Sequence, residues 1–411
     1  MSVKPLQVDQ LYQNTNPELF SFDNTEQLED LTEIIGQPRA VEAVLFGTGM
    51  QSAGYNIYAL GPPGTGKRSL ILKQFREQAA QEAVPQDWCY IHNFDQDHKP
   101  RAISLPPGAG SKFQTDMDQF VEELQSTLAT AFESDEYRTR RRIVESEIEE
   151  RQEAAFEQLQ EKAQKESFAL LRTPAGLVFA PVKEGEVIPP EEFKKLPEEL
   201  RQDMERHVQQ LQKDLQTLMQ QIPIWQREMR SKITQLNHEI TQLVVSGLLE
   251  VLYADYGDHP QVIKFLEAVQ ADVVDNAGRL LDRDLNRDKN GIEPAPERPS
   301  RGNISINAFM RRYKVNLLVN NASQDGAPVF FEDNPTYQNL IGRVENVARM
   351  GTLTTDFTLI KPGSLHLANG GYLVLDARKV LLQPYVWDAL KRALDSRQVR
   401  IETPSQMLGI L

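Results

Sequence analysis

The sequence predicts an α/β fold, a parallel sheet carrying a phosphate-binding loop, interrupted by a long α-helical coiled-coil insertion. Three observations lead there. An apolar run, NIYALG at 56–61, passes into a glycine-rich turn and then a helical stretch. Two further apolar runs, WCYIHNF at 88–94 and GGYLVLDA at 370–377, read as buried strands. Between these two, residues 113–275 turn to a Gln/Glu/Arg-rich pattern with almost no glycine, which reads as long helices.

In chain order, residues 1–53 form a polar lead-in and then TEIIGQPRAVEAVLFGTGMQ, whose Ile34, Ala40, Val41, Val44 and Leu45 suit a short amphipathic helix. Residues 54–112 hold the phosphate loop and the first part of the α/β core. In the insertion at 113–275, Val208, Leu211, Leu215, Leu218, Ile222, Trp225 and Met229 alternate spacings of three and four, the seam of a coiled coil. The register then slips to Ile233, Leu236, Ile240 and Leu243, and Pro223 is expected to kink or open the helix. A helix of about 45 residues, roughly 65 Å long, is expected here. The first arm offers Met117, Phe120, Val121, Leu124, Phe156 and Leu159 as its partner surface. Between the arms, near 170–190, a turn at Pro174 to Gly176 with short β-like runs suggests a small tip. An antiparallel helical hairpin touching the core only at its base follows. Residues 276–304, with RDLNRDKNGIEPAPERPSRGN, read as a linker, and 305–411 resume the core at YKVNLLVNNA.

The glycine-rich turn is Gly61-Pro62-Pro63-Gly64-Thr65-Gly66-Lys67. Glycines let backbone N–H groups turn inward around phosphate oxygens, the following helix presents its positive end, and Lys67 neutralises the terminal phosphates. The residue after the lysine, which would give a hydroxyl to Mg²⁺, is Arg68, and the hydroxyl arrives one place late as Ser69. That shift turns the side chain by about 100° on a helix, so nucleotide binding is expected and Mg²⁺ coordination is put in doubt.

At the second motif, Asp376 follows Leu373, Val374 and Leu375. A carboxylate at the carboxyl end of a strand beside a phosphate loop holds Mg²⁺ through its water shell; the plainer alternative is a strand-end Asp capping the next helix. The neighbouring position, where a glutamate would orient the attacking water, is Ala377.

These residues resemble a known family. Ile35-Gly36-Gln37-Pro38-Arg39-Ala40, GYNIYALGPPGTGK, NPTYQNLIGRVE at 334–345 and LIKPGSLHLANGGYLVLDA at 359–377 are similar to the AAA+ ATPase half of Lon-related proteases. The likeness is to members with a coiled-coil insertion between Walker A and Walker B. It implies an AAA+ P-loop core, incomplete at its C-terminus, in which Ile35, Gly36 and Gln37 line the adenine pocket and Arg349-Met350-Gly351 form the substrate-gripping pore loop. It also implies ATP and Mg²⁺ as cofactors, protein substrates and a homo-oligomeric ring, a hexamer at full length. His366 lies in the matched stretch, and a structural hydrogen-bonding role is expected for it. The peptidase of the family is a serine nucleophile activated by a lysine in a carboxyl-terminal domain, and no segment here resembles its PKDGPSAG-like motif. A piece of a longer ATP-dependent serine endopeptidase is therefore expected, this stretch alone being at most a weak ATPase. Two other readings compete. One is a non-hydrolysing nucleotide-binding scaffold, suggested by Arg68 and Ala377. The other is a coiled-coil P-loop machine of the chromosome-maintenance type, whose Leu-Ser-Gly-Gly signature is missing ahead of GGYLVLDA.

Composition narrows the partners. The 411 residues are 40% hydrophobic and 25% charged, with a net charge of −14, which argues against non-specific binding to nucleic acid or anionic membranes. No apolar run is long enough to span a membrane, and the opening residues lack a leader pattern, so a cytoplasmic location is expected. The single cysteine, Cys89, excludes a disulfide framework and reads as a buried small residue.

Overall fold

A computed structural model describes residues 5–12, 15–29, 37–50, 52, 54–173, 176–183, 186–188, 197–278, 309–349 and 352–402. The chain divides into two compact units, Met1–Ala83 and Val84–Leu411, each considered by itself. Among the described residues, no helix is long and apolar enough to cross a membrane.

The first unit holds α1 (Val8–Leu11), α2 (Pro38–Thr48) and α3 (Lys67–Ala79), with α2 packed on α3. Pro38 opens α2, where its missing N–H costs nothing. The strand expected at 56–61 does not form: the segment is irregular, with Tyr58 73% and Leu60 84% exposed. A strand exists only by pairing, and the described residues of this unit contain no other strand to pair with.

The second unit is built on a sheet of order β2-β1-β6. In β1 (Asp87–Ile91) the side chains alternate, Asp87, Cys89 and Ile91 being buried. The strands β2 (Arg101–Leu105) and β6 (Asn316–Val319) both pair with it antiparallel. Among the described residues the expected buried parallel sheet thus shrinks to one pair, β7 (Val329–Glu332) with β12 (Tyr372–Leu375). A short loop joins β1 to β2 and allows only antiparallel return, whereas β7 and β12 are separated by a crossover long enough to run parallel.

On one face of the sheet lies α4 (Ala109–Glu133). Its Phe113, Met117, Phe120, Val121, Leu124 and Leu128 recur at helical spacing and are buried. After α5 (Asp135–Lys165) come a small sheet, β3 (Phe168–Thr173), β4 (Gly176–Lys183) and β5 (Glu186–Val187), and then two further helices, α6 (Glu198–Asp255) and α7 (Pro260–Asp275). The α4 residues join Val245, Leu249 and Leu252 of α6 and Phe265, Leu266 and Val269 of α7 in one hydrophobic core with Cys89, Ile91, Ile103 and Leu105. The two chain ends of the helical region, α4 on one side and the end of α6 with α7 on the other, are therefore part of the main core rather than a base resting on it. A separate cluster lies farther out, where Leu159, Ala163, Phe168 and Phe179 meet Leu211 and Leu218, with Phe156, Val208, Leu215 and Trp225 at its edge.

The helix α6 has 58 residues, about 85 Å, and runs unbroken through Pro223, which the expected opening of the helix did not anticipate. Losing one backbone hydrogen bond is offset where Leu218 and Trp225 on either side stay packed on α5 and the small sheet. The expected continuation of the seam to Leu243 also fails, since Leu243 is 74% exposed and Val245 and Leu249 take the buried positions. The tip near 170–190 is the β3-β4-β5 sheet; Pro174 and Ala175 lie outside the described residues, as do 279–304 of the linker.

The last part of the unit has α8 (Tyr337–Ile341), β8 (Gly342–Val344), β9 (Val347–Arg349), β10 (Thr352–Thr354), β11 (Ile360–Pro362), α9 (Ser364–Leu367), α10 (Ala377–Leu382) and α11 (Val386–Ser396). Leu340, Ile341, Val380, Val386, Ala389 and Leu390 form its core.

Two substitutions test this division. Leu249→Ala, in the main core, is expected to cost about 2–5 kcal/mol in global unfolding by denaturant. Leu211→Ala, in the outer cluster, should instead lower hydrogen-exchange protection in α5 and α6 while β1 and α4 keep theirs. Equal loss of protection throughout both variants would show a single core. A third substitution, Asp87→Ala, leaves two buried N–H groups without an acceptor and is expected to cost about 2–4 kcal/mol by the same denaturation.

Candidate functional site

Residues 61–69 form a turn around the amino terminus of α3. Gly64 and Gly66 have φ of 80° and 74°, a left-handed backbone that glycine adopts without strain. Gly66 is the N-cap of α3 and offers no side chain, so the helix's first N–H groups have no side-chain cap. Thr65 donates its hydroxyl to the Pro62 carbonyl at 3.0 Å, tightening the turn. The Lys67 ammonium donates to the Gly61 and Pro62 carbonyls at 2.7 and 2.6 Å. An uncapped helix start, a left-handed glycine turn and a lysine folded over it are the features that accommodate an anion such as a phosphate. Arg68 and Ser69, on the first turn of α3, are exposed. Of the Ile35-Gly36-Gln37 segment only Gln37 is described, and it precedes α2 as its N-cap; Ile35 and Gly36 lie outside the described residues.

Asp376 belongs to the second unit. It follows β12 and caps α10, its Oδ1 accepting the Lys379 N–H at 3.2 Å, which is the plainer of the two roles the sequence allowed. Lys379 reaches the end of the parallel neighbour β7, where its ammonium donates to the Asp333 carbonyl at 2.6 Å and carboxylate at 2.9 Å. The carboxyl edge of the parallel pair thus carries Asp333, Asp376 and one lysine. Among the described residues, no group of three or more His, Cys, Asp or Glu is placed to hold a metal ion. Sequence reasoning passed over Asp333 and Lys379, although the residue following an apolar run was the signal that found Asp376.

The two longest motifs come together. Gly342, Arg343 and Val344 of β8 pair antiparallel with Pro362, Lys361 and Ile360 of β11. The Ser364 hydroxyl donates to the Asn339 carbonyl at 3.2 Å. Gly342 has φ of 98°, and a Cβ there would lie 2.6 Å from the Lys361 carbonyl oxygen, so this crossing requires glycine. Arg349 ends β9 next to its antiparallel partner β10; Met350 and Gly351, the rest of the expected pore loop, lie outside the described residues.

His366 is a structural residue, as expected. Its Nδ1 accepts the Gly363 N–H at 3.2 Å, and burial pushes the imidazole down to about 4. Cys89 is 1% exposed, and burial, with the nearby Asp87 carboxylate, pushes its thiol up to about 12, leaving it unreactive. A cavity of about 400 Å³ opens among Tyr337, Ile341, Ala389, Arg392, Ser396 and Arg400, the first two belonging to the NPTYQNLIGRVE motif.

Comparison with known families agrees with the two long motifs at 334–345 and 359–377. A LonB-like AAA domain model matches residues 325–411, and a Lon-like LonC helical domain model matches residues 87–120. Both matches support a Lon-related family. The first match spans β7 through α11, the region where the two long motifs cross, and the second spans β1, β2 and the start of α4. An AAA domain implies nucleotide binding, typically with Mg²⁺, and Lon-like domains typically oligomerise and act on protein substrates. No curated protein matches the chain.

The His366 geometry generates a pH prediction. The folded imidazole titrates near 4 and the unfolded one near 6.5. Below pH 6.5 the unfolded chain binds a proton that the folded chain does not, so stability declines as pH falls from about 6.5 toward 4. His366→Asn, which keeps an acceptor without titrating, is expected to flatten this part of the decline in urea midpoint. An identical pH profile for both proteins would rule the assignment out.

Proposed function

We propose that this chain is the ATP-binding, substrate-handling portion of a Lon-related ATP-dependent protease, with the peptidase chemistry in a carboxyl-terminal Ser/Lys domain outside these residues. The observation that carries the proposal is the cradle at Gly61 to Lys67, together with the Lon-related family matches. In this scheme the backbone N–H groups of Gly64 to Lys67 and the amino terminus of α3 take the phosphates, and the Lys67 ammonium leaves its two carbonyls for them. Exchanging neutral carbonyl partners for anionic oxygens adds attraction between opposite charges to hydrogen bonds whose donor is already charged. Ile35, Gly36 and Gln37 would receive the adenine, and Ser69 and Asp376 are each proposed separately as a Mg²⁺ ligand. Bound ATP supplies the free energy for moving polypeptide through a ring of copies. The helical region at 113–275 would meet protein substrates, and the segment at 349–351 would grip them.

A specific observation favours a second reading, nucleotide binding without turnover. Ala377 provides no base, and Ser69 is displaced by one residue from the usual hydroxyl position. A missing water-positioning group commonly lowers such a rate by about 10²–10⁴.

Titration of a fluorescent ATP analogue separates the possibilities. Binding is expected for the wild type and is expected to weaken by about tenfold or more in Lys67→Ala. Equal affinity for both proteins would remove the phosphate-loop assignment. Phosphate release measured on the same samples then distinguishes a slow ATPase from a scaffold.

A further inference from the structure

Along α5, two sets of charged side chains stand apart from other exposed ones, Asp135, Glu136, Glu150, Glu157, Glu161 and Lys165. Arg140, Arg141, Glu147 and Arg151 are taken up by ion pairs with Glu239, Glu145, Lys232 and Glu228. Arg138, Arg142, Glu149 and Glu153 are exposed and make no hydrogen bond or ion pair among the described residues. At about 100° per residue these four fall within an arc of about 60°, forming one outward stripe that is basic at its start and acidic farther along.

The spacing of the stripe is symmetric. Arg138 and Glu153, and likewise Arg142 and Glu149, are equidistant from the midpoint between Glu145 and Ser146. A helix with this pattern is complementary to itself when turned end for end. A two-fold axis at that midpoint sets each arginine of one copy against a glutamate of the other, giving four opposite-charge pairs over about 22 Å. Parallel alignment in register would oppose arginine to arginine and glutamate to glutamate, so the stripe selects one orientation. Of the other groups on this face, Glu145 is held by Arg141, and Asp135 and Glu157 lie outside the paired span, opposite Phe156 and Ser134 of the second copy.

We propose that this stripe of α5 is a docking surface for a second copy of the chain, joined antiparallel through Arg138, Arg142, Glu149 and Glu153. The stripe is charged rather than apolar, and a single helix pair buries much less than the roughly 1,200–2,000 Å² of a stable dimer. The contact is consequently weak, salt-sensitive and transient, a means of aligning arms rather than of holding copies together.

Crosslinking of the full 411-residue chain tests it. Ser146→Cys puts one thiol beside the two-fold axis, and Gln160→Cys, on the same face, puts thiols of paired copies about 40 Å apart. Buried Cys89 gives little background. With a short bis-maleimide at low salt, dimer formation through position 146 is expected to be about tenfold faster than through position 160, and to fall toward it near 0.5 M salt. Combining Ser146→Cys with Arg138→Glu and Arg142→Glu, or with Glu149→Arg and Glu153→Arg, should abolish the excess in each variant alone. An equimolar mixture of the two should restore it, since every pair across the axis is again opposite in sign, and the restoration also shows that both variants are folded. Equal crosslinking at positions 146 and 160, or no recovery in the mixture, would overturn the proposal.

Discussion

The buried carboxylate of Asp87 joins three segments that are distant in sequence, and the second unit is organised around it. Fully buried at the start of β1, it accepts the Gly110 N–H in the first turn of α4 at 3.0 Å and the Asn321 N–H just after β6 at 2.7 Å. The Asn321 side chain returns the contact by donating to the Pro85 and Gln86 carbonyls. A charge taken out of water is costly unless hydrogen-bonded, and the positive end of a helix is a favourable place for it. One side chain therefore fixes where α4 begins relative to the sheet and holds the end of β6 beside β1. From that start follow the buried face of α4, its contact with α6 and α7, and the main hydrophobic core. On the other face of the sheet, Asn316 donates to the Phe357 and Ile360 carbonyls at 2.8 and 2.9 Å, tying β6 to the part of the unit that carries the long motifs.

Beyond that core a different balance of forces applies. The outer parts of α5 and α6 bury a smaller apolar cluster, and opposite charges link them at Arg140–Glu239, Glu147–Lys232, Arg151–Glu228 and Lys162–Asp214. As the residue number rises along α5 it falls along α6, so the ion pairs alone report the antiparallel register. Each exposed pair contributes little to stability, but a helix slipped by one turn would lose all of them together. Apolar packing thus holds the pair of helices together, while the charges select among registers. Tyr137, which donates to the Asn237 side chain at 2.8 Å, fixes the same register near the junction with α4.

What the sequence revealed was local periodicity and chemistry. The strands at 88–94 and 370–377, the long helices within 113–275, the buried Cys89 and the structural role of His366 were all legible because each depends on a short pattern or on one residue's surroundings. Pairing was not legible. The run at 56–61 has the apolar pattern of a strand, but pattern does not supply a neighbour, and 88–94 has the same pattern and finds two. Strand direction was misjudged for a related reason, since the order of elements suggested crossovers whereas a short loop after β1 imposed antiparallel return. Asp87 gave no signal at all. A carboxylate before an apolar run reads as a surface residue, and only the distant Gly110 and Asn321 make burial tolerable. The uninterrupted helix at Pro223 shows the same limit, because helix propensity is outweighed by packing on either side.

The candidate site itself divides along this line. The Gly61–Lys67 turn depends on conformational freedom at Gly64 and Gly66 and on a lysine six residues beyond Gly61, all within one loop, so its geometry follows directly from its sequence. Asp376 depends on what lies around it. Its carboxylate has one N–H to accept in the first turn of α10, but a cap uses only part of a carboxylate's capacity, since each oxygen offers two lone pairs. Capping and a water-mediated contact with a cation are therefore compatible on one side chain. Nearby, Lys379 is held by Asp333 at the end of the neighbouring strand, so its charge is offset by that carboxylate and the Asp376 charge is left over at this edge. Two carboxylates and one lysine thus set the charge balance at the carboxyl ends of β7 and β12.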